Sequence, residues 1–132
     1  MVKKFGVYIP DDIISDLEKC MTVLGLKTRS KLIQEALRLF IMEHKWSLKG
    51  KAAGIIGILY NHETDHIDEI LTDIQHKYLD IIISALHIHL DKEKCMLIIA
   101  VRGPSDKINE LLGKIKNLKG VMLARPLLLS MD

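Results

Sequence analysis

Residues 81–102 read IIISALHIHLDKEKCMLIIAVR. Two apolar runs rich in β-branched residues, 81–90 and 95–102, flank a charged break at Asp91 to Lys94; that alternation of strand and turn signals predicts a β-hairpin. Side chains two apart on a strand share a face, so His87 and His89 stand together, about 6.6 Å apart at Cα. A turn centred on Lys92 sets His89 opposite Cys95, on the same side of the pair. One hairpin therefore offers two imidazoles and a thiolate to a transition metal. A lone strand histidine is usually a surface residue and a lone cysteine usually core. His-x-His followed six residues later by Cys is a more demanding pattern. Three ligands leave a coordination position for water or for a fourth protein donor. Because the ligands must shed protons, binding is expected to weaken at low pH.

Outward from the hairpin, the C-terminal half is regular. Residues 47–51, Ser-Leu-Lys-Gly-Lys, form a polar break read as a linker. A strand is predicted at 52–60. A helix follows at 64–78, with Ile67, Ile70, Leu71, Ile74 and Tyr78 on one face and Thr64 or Asp65 as its cap. After the hairpin, Gly103-Pro104 breaks the chain. A helix from Ser105 carries Ile108, Leu111, Leu112 and Ile115 and ends by Lys119-Gly120, and residues 121–129 form a last strand. The order βαββαβ is a ferredoxin-like arrangement. By strand parity, His87, His89 and Cys95 share a face with Ile81, Ile83, Ala85, Leu97, Ile99 and Val101. The other face carries Leu86, Ile88, Leu90, Met96 and Ile98. Both are apolar, and two helices cover only one. The metal face is therefore expected to be the bare one, buried against another chain, with His76 at the end of the first helix of this domain as a candidate fourth ligand.

The first 46 residues have a different pattern. Residues 4–9 alternate, with Phe5, Val7 and Ile9 on one side and Lys4, Gly6 and Tyr8 on the other, which predicts a short strand. Pro10-Asp11-Asp12 stops it and can cap a helix whose stripe is Ile13, Leu17, Cys20 and Leu24. Cys20 reads as core, and Gly25 as the C-terminal stop. Thr28 or Ser30 caps a second helix with Leu32, Ile33, Ala36, Leu37, Phe40 and Ile41 on a wide apolar stripe, fading near His44-Lys45-Trp46. One strand cannot satisfy its own backbone groups, and the unit is small for an independent core. A dimer with the two strands paired antiparallel solves both problems and makes a ribbon that fits a major groove. Lys4, Gly6 and Tyr8 face outward as candidate base contacts, and Lys27, Thr28, Arg29 and Ser30 lie at a helix N-terminus suited to a DNA phosphate.

Composition sets outer bounds. The chain has 132 residues, 48% of them hydrophobic and 5% aromatic, with a net charge of +2. That allows one or two small domains with an aliphatic core, and nucleic-acid binding does not follow from the net charge. No apolar run approaches the roughly 18 residues of a membrane span. No apolar signal segment follows the opening Met1-Val-Lys-Lys, so a cytoplasmic protein with reduced thiols is expected.

With these pieces in place the sequence resembles a known family, the nickel-responsive repressors (NikR), over nearly the whole chain. The resemblance is carried by the strand-helix-helix pattern with Thr28-Arg29-Ser30, by Tyr60-Asn61-His62-Glu63, by Gln75-His76, and by Leu86-His87-Ile88-His89 with Cys95. It implies an α+β chain: a ribbon-helix-helix (βαα) DNA-binding domain at 1–46, and an ACT-like βαββαβ domain at 52–132 that assembles a tetramer, a dimer of dimers. It implies Ni(II), one per chain, held in a square plane by His87, His89 and Cys95 of one chain and His76 of another. A palindromic double-stranded DNA operator and a regulatory, non-enzymatic role are the implied function. A regulator sensing another metal or a small molecule through the ACT-like domain is the alternative. Where the family usually has an acidic residue two positions after the cysteine, this chain has Leu97. The family's acidic pair early in the second helix is here Lys31 and Glu35, so its extra cation site is not expected. Gly6 and Tyr8 stand where some members have small hydroxyl residues, so the operator sequence does not carry over.

Overall fold

The computed structural model describes all residues, 1–132. Two compact units divide the chain, Met1–Phe40 and Ile41–Asp132, and no helix is long and apolar enough to cross a membrane.

In the first unit, helix α1 (Asp11–Leu24) starts on Pro10, whose carbonyl accepts from the Ile14 N–H at 3.1 Å. No side chain caps it, but Asp11 and Asp12 in its first turn complement the positive end of the helix dipole. Gly25 ends it in the left-handed conformation, φ 69°, as expected of a C-terminal stop. Helix α2 (Arg29–Lys45) is capped by Thr28, whose Oγ1 accepts from the Lys31 N–H at 3.1 Å. The inward stripe of α1 is Ile14, Leu17 and Met21, which with Leu32, Ile33 and Leu37 of α2 lines a cavity of about 720 Å³. That stripe lies one residue along from the expected one: Ile13 and Leu24 are exposed, and so is Cys20, which is not core. Phe5, Val7 and Ile9 line the same cavity, but so does Lys4, which the expected alternation places outward; of the outer row only Gly6 and Tyr8 stay out of it. The strand expected at 4–9 is nevertheless not formed. Residues 1–10 carry no ladder, because a lone strand finds no partner for its N–H and C=O groups within this chain.

The second unit contains β1 (Lys51–Asn61), α3 (Ile67–Lys77), β2 (Ile82–His89), β3 (Lys94–Pro104), α4 (Ser105–Lys116) and β4 (Val121–Ser130). The sheet has the order β2-β3-β1-β4, with every neighbouring pair antiparallel. Each helix thus joins two parallel strands with one strand between them, the split βαβ arrangement expected from the element order. The core lies between one sheet face and the two helices: Ile56, Ile58, Leu97, Ile99, Val101 and Leu128 pack with Ile67, Leu71, Ile108, Leu111 and Ile115. Each such aliphatic side chain contributes roughly 1.5–3 kcal/mol by leaving water. Trp46, just past α2, joins this core.

Three expectations are corrected. Helix α3 begins at Ile67 rather than at 64, with His66 (φ 63°) at its N-cap position and no side-chain cap. Thr64 is engaged elsewhere: its N–H bonds the Asn61 carbonyl at 3.1 Å, and a Cβ on Gly120 would come within 2.5 Å of its Oγ1. A bulge at Ile83 shifts the register of β2, so Ile82, not Ile83, faces Val101, and Ile83 points to solvent. The face assignment is also reversed. The face with Cys95, Leu97, Ile99 and Val101 is the one the helices cover. The bare face carries Ile55, Leu59, Leu86, Leu123, Leu127 and Leu129, with Met96 and Ile98 between them. Parity groups residues by face, but with both faces apolar it does not tell which one the helices take.

Candidate metal centre

His87 and His89 sit on β2, an edge strand, and Cys95 on its neighbour β3. The register pairs His89 with Cys95 and His87 with Leu97, as a hairpin turn centred on Lys92 requires. One ligand atom from each of His87, His89 and Cys95 can be chosen so that all lie within 4.8 Å of one another. Cys95 Sγ is 3.3 Å from His89 Nδ1, and the two imidazole centroids are 4.8 Å apart. Cys95 is fully buried while both histidines are exposed. That contrast follows from topology: the helices cover β3, β1 and β4, and the edge strand extends beyond them. The result is a thiol at the floor and two imidazoles at the rim, open on one side.

His76 is not in this group. It lies exposed in the last turn of α3, so the single chain brings together three of the four expected ligands. Three residues not singled out as functional by spacing surround the group. Tyr60 of β1 faces Cys95 in the register. Its hydroxyl is 2.9 Å from Asp68 Oδ1 and 2.9 Å from His87 Nε2. Burial, and then the hydrogen bond to Asp68 and its charge, push the Tyr60 hydroxyl above the ordinary phenol range, so it stays protonated at neutral pH. His62 Nδ1 is 3.3 Å from Asp68 Oδ2, and its ring is edge-on to His89 at 6.2 Å. Sequence spacing could not bring Tyr60 here without knowing that β1 pairs with β3. The donor set fits a late transition metal, since nitrogen and thiolate ligands at this spacing suit nickel, copper or zinc.

In the first unit the expected DNA-contact residues are all exposed. Gly6 has no atom within 4 Å of a notional Cβ, so its backbone is open to close approach. Arg29 pairs with Glu18 at 2.6 Å, an exposed contact of small worth. Ser30 Oγ accepts from Gln34 Nε2 at 3.5 Å, and Lys31 pairs with Glu35 at 3.3 Å.

Residues 53–129 match the family model of the NikR C-terminal nickel-binding domain. The chain is also similar over most of its length to proteins named as putative nickel-responsive regulators. One from Dictyoglomus thermophilum is 41% identical over 121 residues, covering 91% of this chain and 90% of the relative. One from Methanocaldococcus jannaschii is 38% identical over 120 residues, covering 89% and 85%. One from Pyrococcus horikoshii is 37% identical over 119 residues, covering 89% and 86%.

Proposed function

The chain belongs to the nickel-responsive regulator family, and on that premise we propose that it is a nickel-dependent transcriptional repressor, with His87, His89 and Cys95 as nickel ligands and residues 1–46 as its DNA-binding part. The observation that carries the reading is the compact group of two exposed imidazoles and one buried thiol on a single hairpin. Its two imidazoles are exposed, so a fourth donor from another chain has access to them. His76 of a second copy is that donor in this reading. Its position outside the group in the single chain, at an exposed helix end, supports a ligand set shared between chains. A bound ion would be held by these nitrogen and sulfur donors, a set that suits Ni(II), and would link the two chains that supply them.

The protein's own residues do the rest. In the proposed dimer, Phe5, Val7 and Ile9 of two copies close the cavity of the first unit, and their backbones pair as a ribbon. Lys4, Gly6 and Tyr8 then read base edges while Lys27, Thr28, Arg29 and Ser30 hold phosphates at the start of α2. A two-fold pair of ribbons requires a palindromic operator. The bare apolar sheet face supports assembly into a tetramer, since an exposed patch of that kind marks an interface. Regulation then requires that the metal-bound state bind DNA more tightly than the metal-free one. The test is operator selection from a random DNA library with nickel present, followed by titration with and without nickel. Nickel should raise affinity for the selected palindrome; equal affinity under both conditions would overturn the regulatory role.

A further inference from the structure

We propose that Asp68 is a positioning residue of the metal centre: acting through the Tyr60 hydroxyl, it holds His87 with its proton on Nε2 and so keeps the Nδ1 lone pair for a metal ion. The inference rests on the reading of His87 as a ligand. It starts from one hydroxyl placed between Asp68 and His87, with the Cys95 thiol also beside it. Tyr60 Oη lies 2.9 Å from Asp68 Oδ1 and 2.9 Å from His87 Nε2. The hydroxyl has a single proton, and an ionised carboxylate only accepts. If the phenol proton pointed at His87, Oη and Oδ1 would face each other lone pair to lone pair at that distance. The proton therefore goes to Asp68, and Oη accepts from the Nε2–H of His87. A neutral imidazole with its proton on Nε2 has its free lone pair on Nδ1.

The arrangement is fixed from several sides. Tyr60 is 2% exposed and sits in the same row of the sheet as Cys95 and His89, so its hydroxyl is a stationary acceptor. Asp68 lies in the first turn of α3, where the helix dipole favours a carboxylate. Its second oxygen is 3.3 Å from His62 Nδ1, which holds it from the other side. Leu97, directly across the register from His87, has no polar atom to offer. A carboxylate therefore acts on this imidazole from one hydroxyl further away, from a helix and not from the neighbouring strand. The same helix carries His76 at its far end. Partners of this kind orient a ligating imidazole and typically alter metal affinity by about 10–100-fold.

Long-range ¹H–¹⁵N NMR of the metal-free full-length protein reads the tautomer directly. His87 should show a protonated-type Nε2 and an unprotonated-type Nδ1, and Tyr60→Phe and Asp68→Ala should each mix the two forms. A wild-type His87 that is already mixed, or that carries its proton on Nδ1, overturns the proposal whether or not the protein binds nickel. In nickel titrations followed by thiolate-to-nickel absorption, each single variant should lose about 10–100-fold in affinity. The double variant should lose no more than Tyr60→Phe alone, and Asp68→Asn, which keeps an oxygen acceptor, should recover most of the loss. Additive losses would show that Asp68 does not act through Tyr60. Thermal unfolding of the metal-free variants separates these effects from loss of fold. A wild type that binds no nickel would overturn the metal reading and leave the NMR result to decide the hydrogen-bonded relay.

Discussion

Between Met1 and Phe40 only Leu32 is buried, whereas from Trp46 to Leu128 a continuous core runs between a four-stranded sheet and two helices. The two units do not differ in apolar supply. The first has Phe5, Val7, Ile14, Leu17, Ile33, Leu37 and Phe40, but the first six line an open cavity and Phe40 is exposed. They differ in whether the chain closes on itself. The second unit has three strand pairings to satisfy its backbone, and the first has none. One unit is finished by its own sequence, and the other is not; in the proposed function a second copy completes it. In the proposed function this division has a purpose, because a DNA-reading unit that exists only as a pair can be governed by whatever controls pairing.

The largest expected effect comes from breaking the unfinished unit. Phe5→Asp puts a charge on the side of the segment that lines the cavity. It should prevent the ribbon and reduce operator affinity to the non-specific level, a loss of about a thousand-fold or more. Circular dichroism of the sheet and nickel binding should be retained. If Phe5→Asp binds operator normally, the first unit does not complete itself with a second copy, and the comparison fails there. Core truncation tests the other side. Ile56→Ala in the second unit removes a fully buried side chain and should cost about 2–5 kcal/mol in urea unfolding, at a midpoint independent of protein concentration. The transition of the first unit should move with concentration, as it must when folding requires association.

The degree to which each unit is legible in sequence follows the same line. The hairpin is readable because β2 and β3 are adjacent in sequence, and a two-residue period with a short turn fixes their register: His89 does face Cys95. The helices of the second unit are readable from their 3.6-residue stripes. What fails needs information from across the fold. Tyr60 joins the site only because β1 pairs with β3, a partnership that no local spacing contains. The side of the sheet taken by the helices is not readable because both faces are equally apolar. Thr64 has the chemistry of a cap, but its contact with Gly120 comes from a residue far along the chain. In the first unit, the one-residue displacement of the α1 stripe reflects a helix with apolar residues at both Ile13 and Ile14, where periodicity alone does not choose. His76 rests only on the apolar sheet face and the family resemblance, and in one chain it lies outside the group of the other three candidate ligands.

Cys95→Ala probes the site inside the finished unit. The thiol is fully buried and is the group's one sulfur donor. Its removal should abolish thiolate-to-nickel absorption and lower nickel affinity by more than the roughly 100-fold that a lost outer partner costs. The sheet should stay folded, because the side chain removed is small. Persistence of the charge-transfer band would remove Cys95 from the ligand set. This variant should also lose nickel-dependent operator binding while its first unit still pairs, a separation that Phe5→Asp reverses.

The smallest expected effect is a pair of glycine substitutions that compares the units directly. Gly25 ends α1 at φ 69°, and no atom lies within 4 Å of the place an added methyl would take. Gly25→Ala therefore meets only the conformational cost of a left-handed residue, about 1 kcal/mol. Gly120 precedes β4 at φ 95°, and a methyl there would stand 2.5 Å from Thr64 Oγ1 and 2.7 Å from its Cβ. Gly120→Ala therefore carries a similar conformational cost plus a steric one that the packed Thr64 must absorb. Urea unfolding should rank Gly120→Ala as the more damaging of the two, with its effect confined to the concentration-independent transition. Gly25→Ala should shift the concentration-dependent transition if, as in the proposed function, the first unit folds as a pair. If Gly25→Ala instead shifts a transition that does not respond to concentration, the first unit folds without a second copy despite its open cavity.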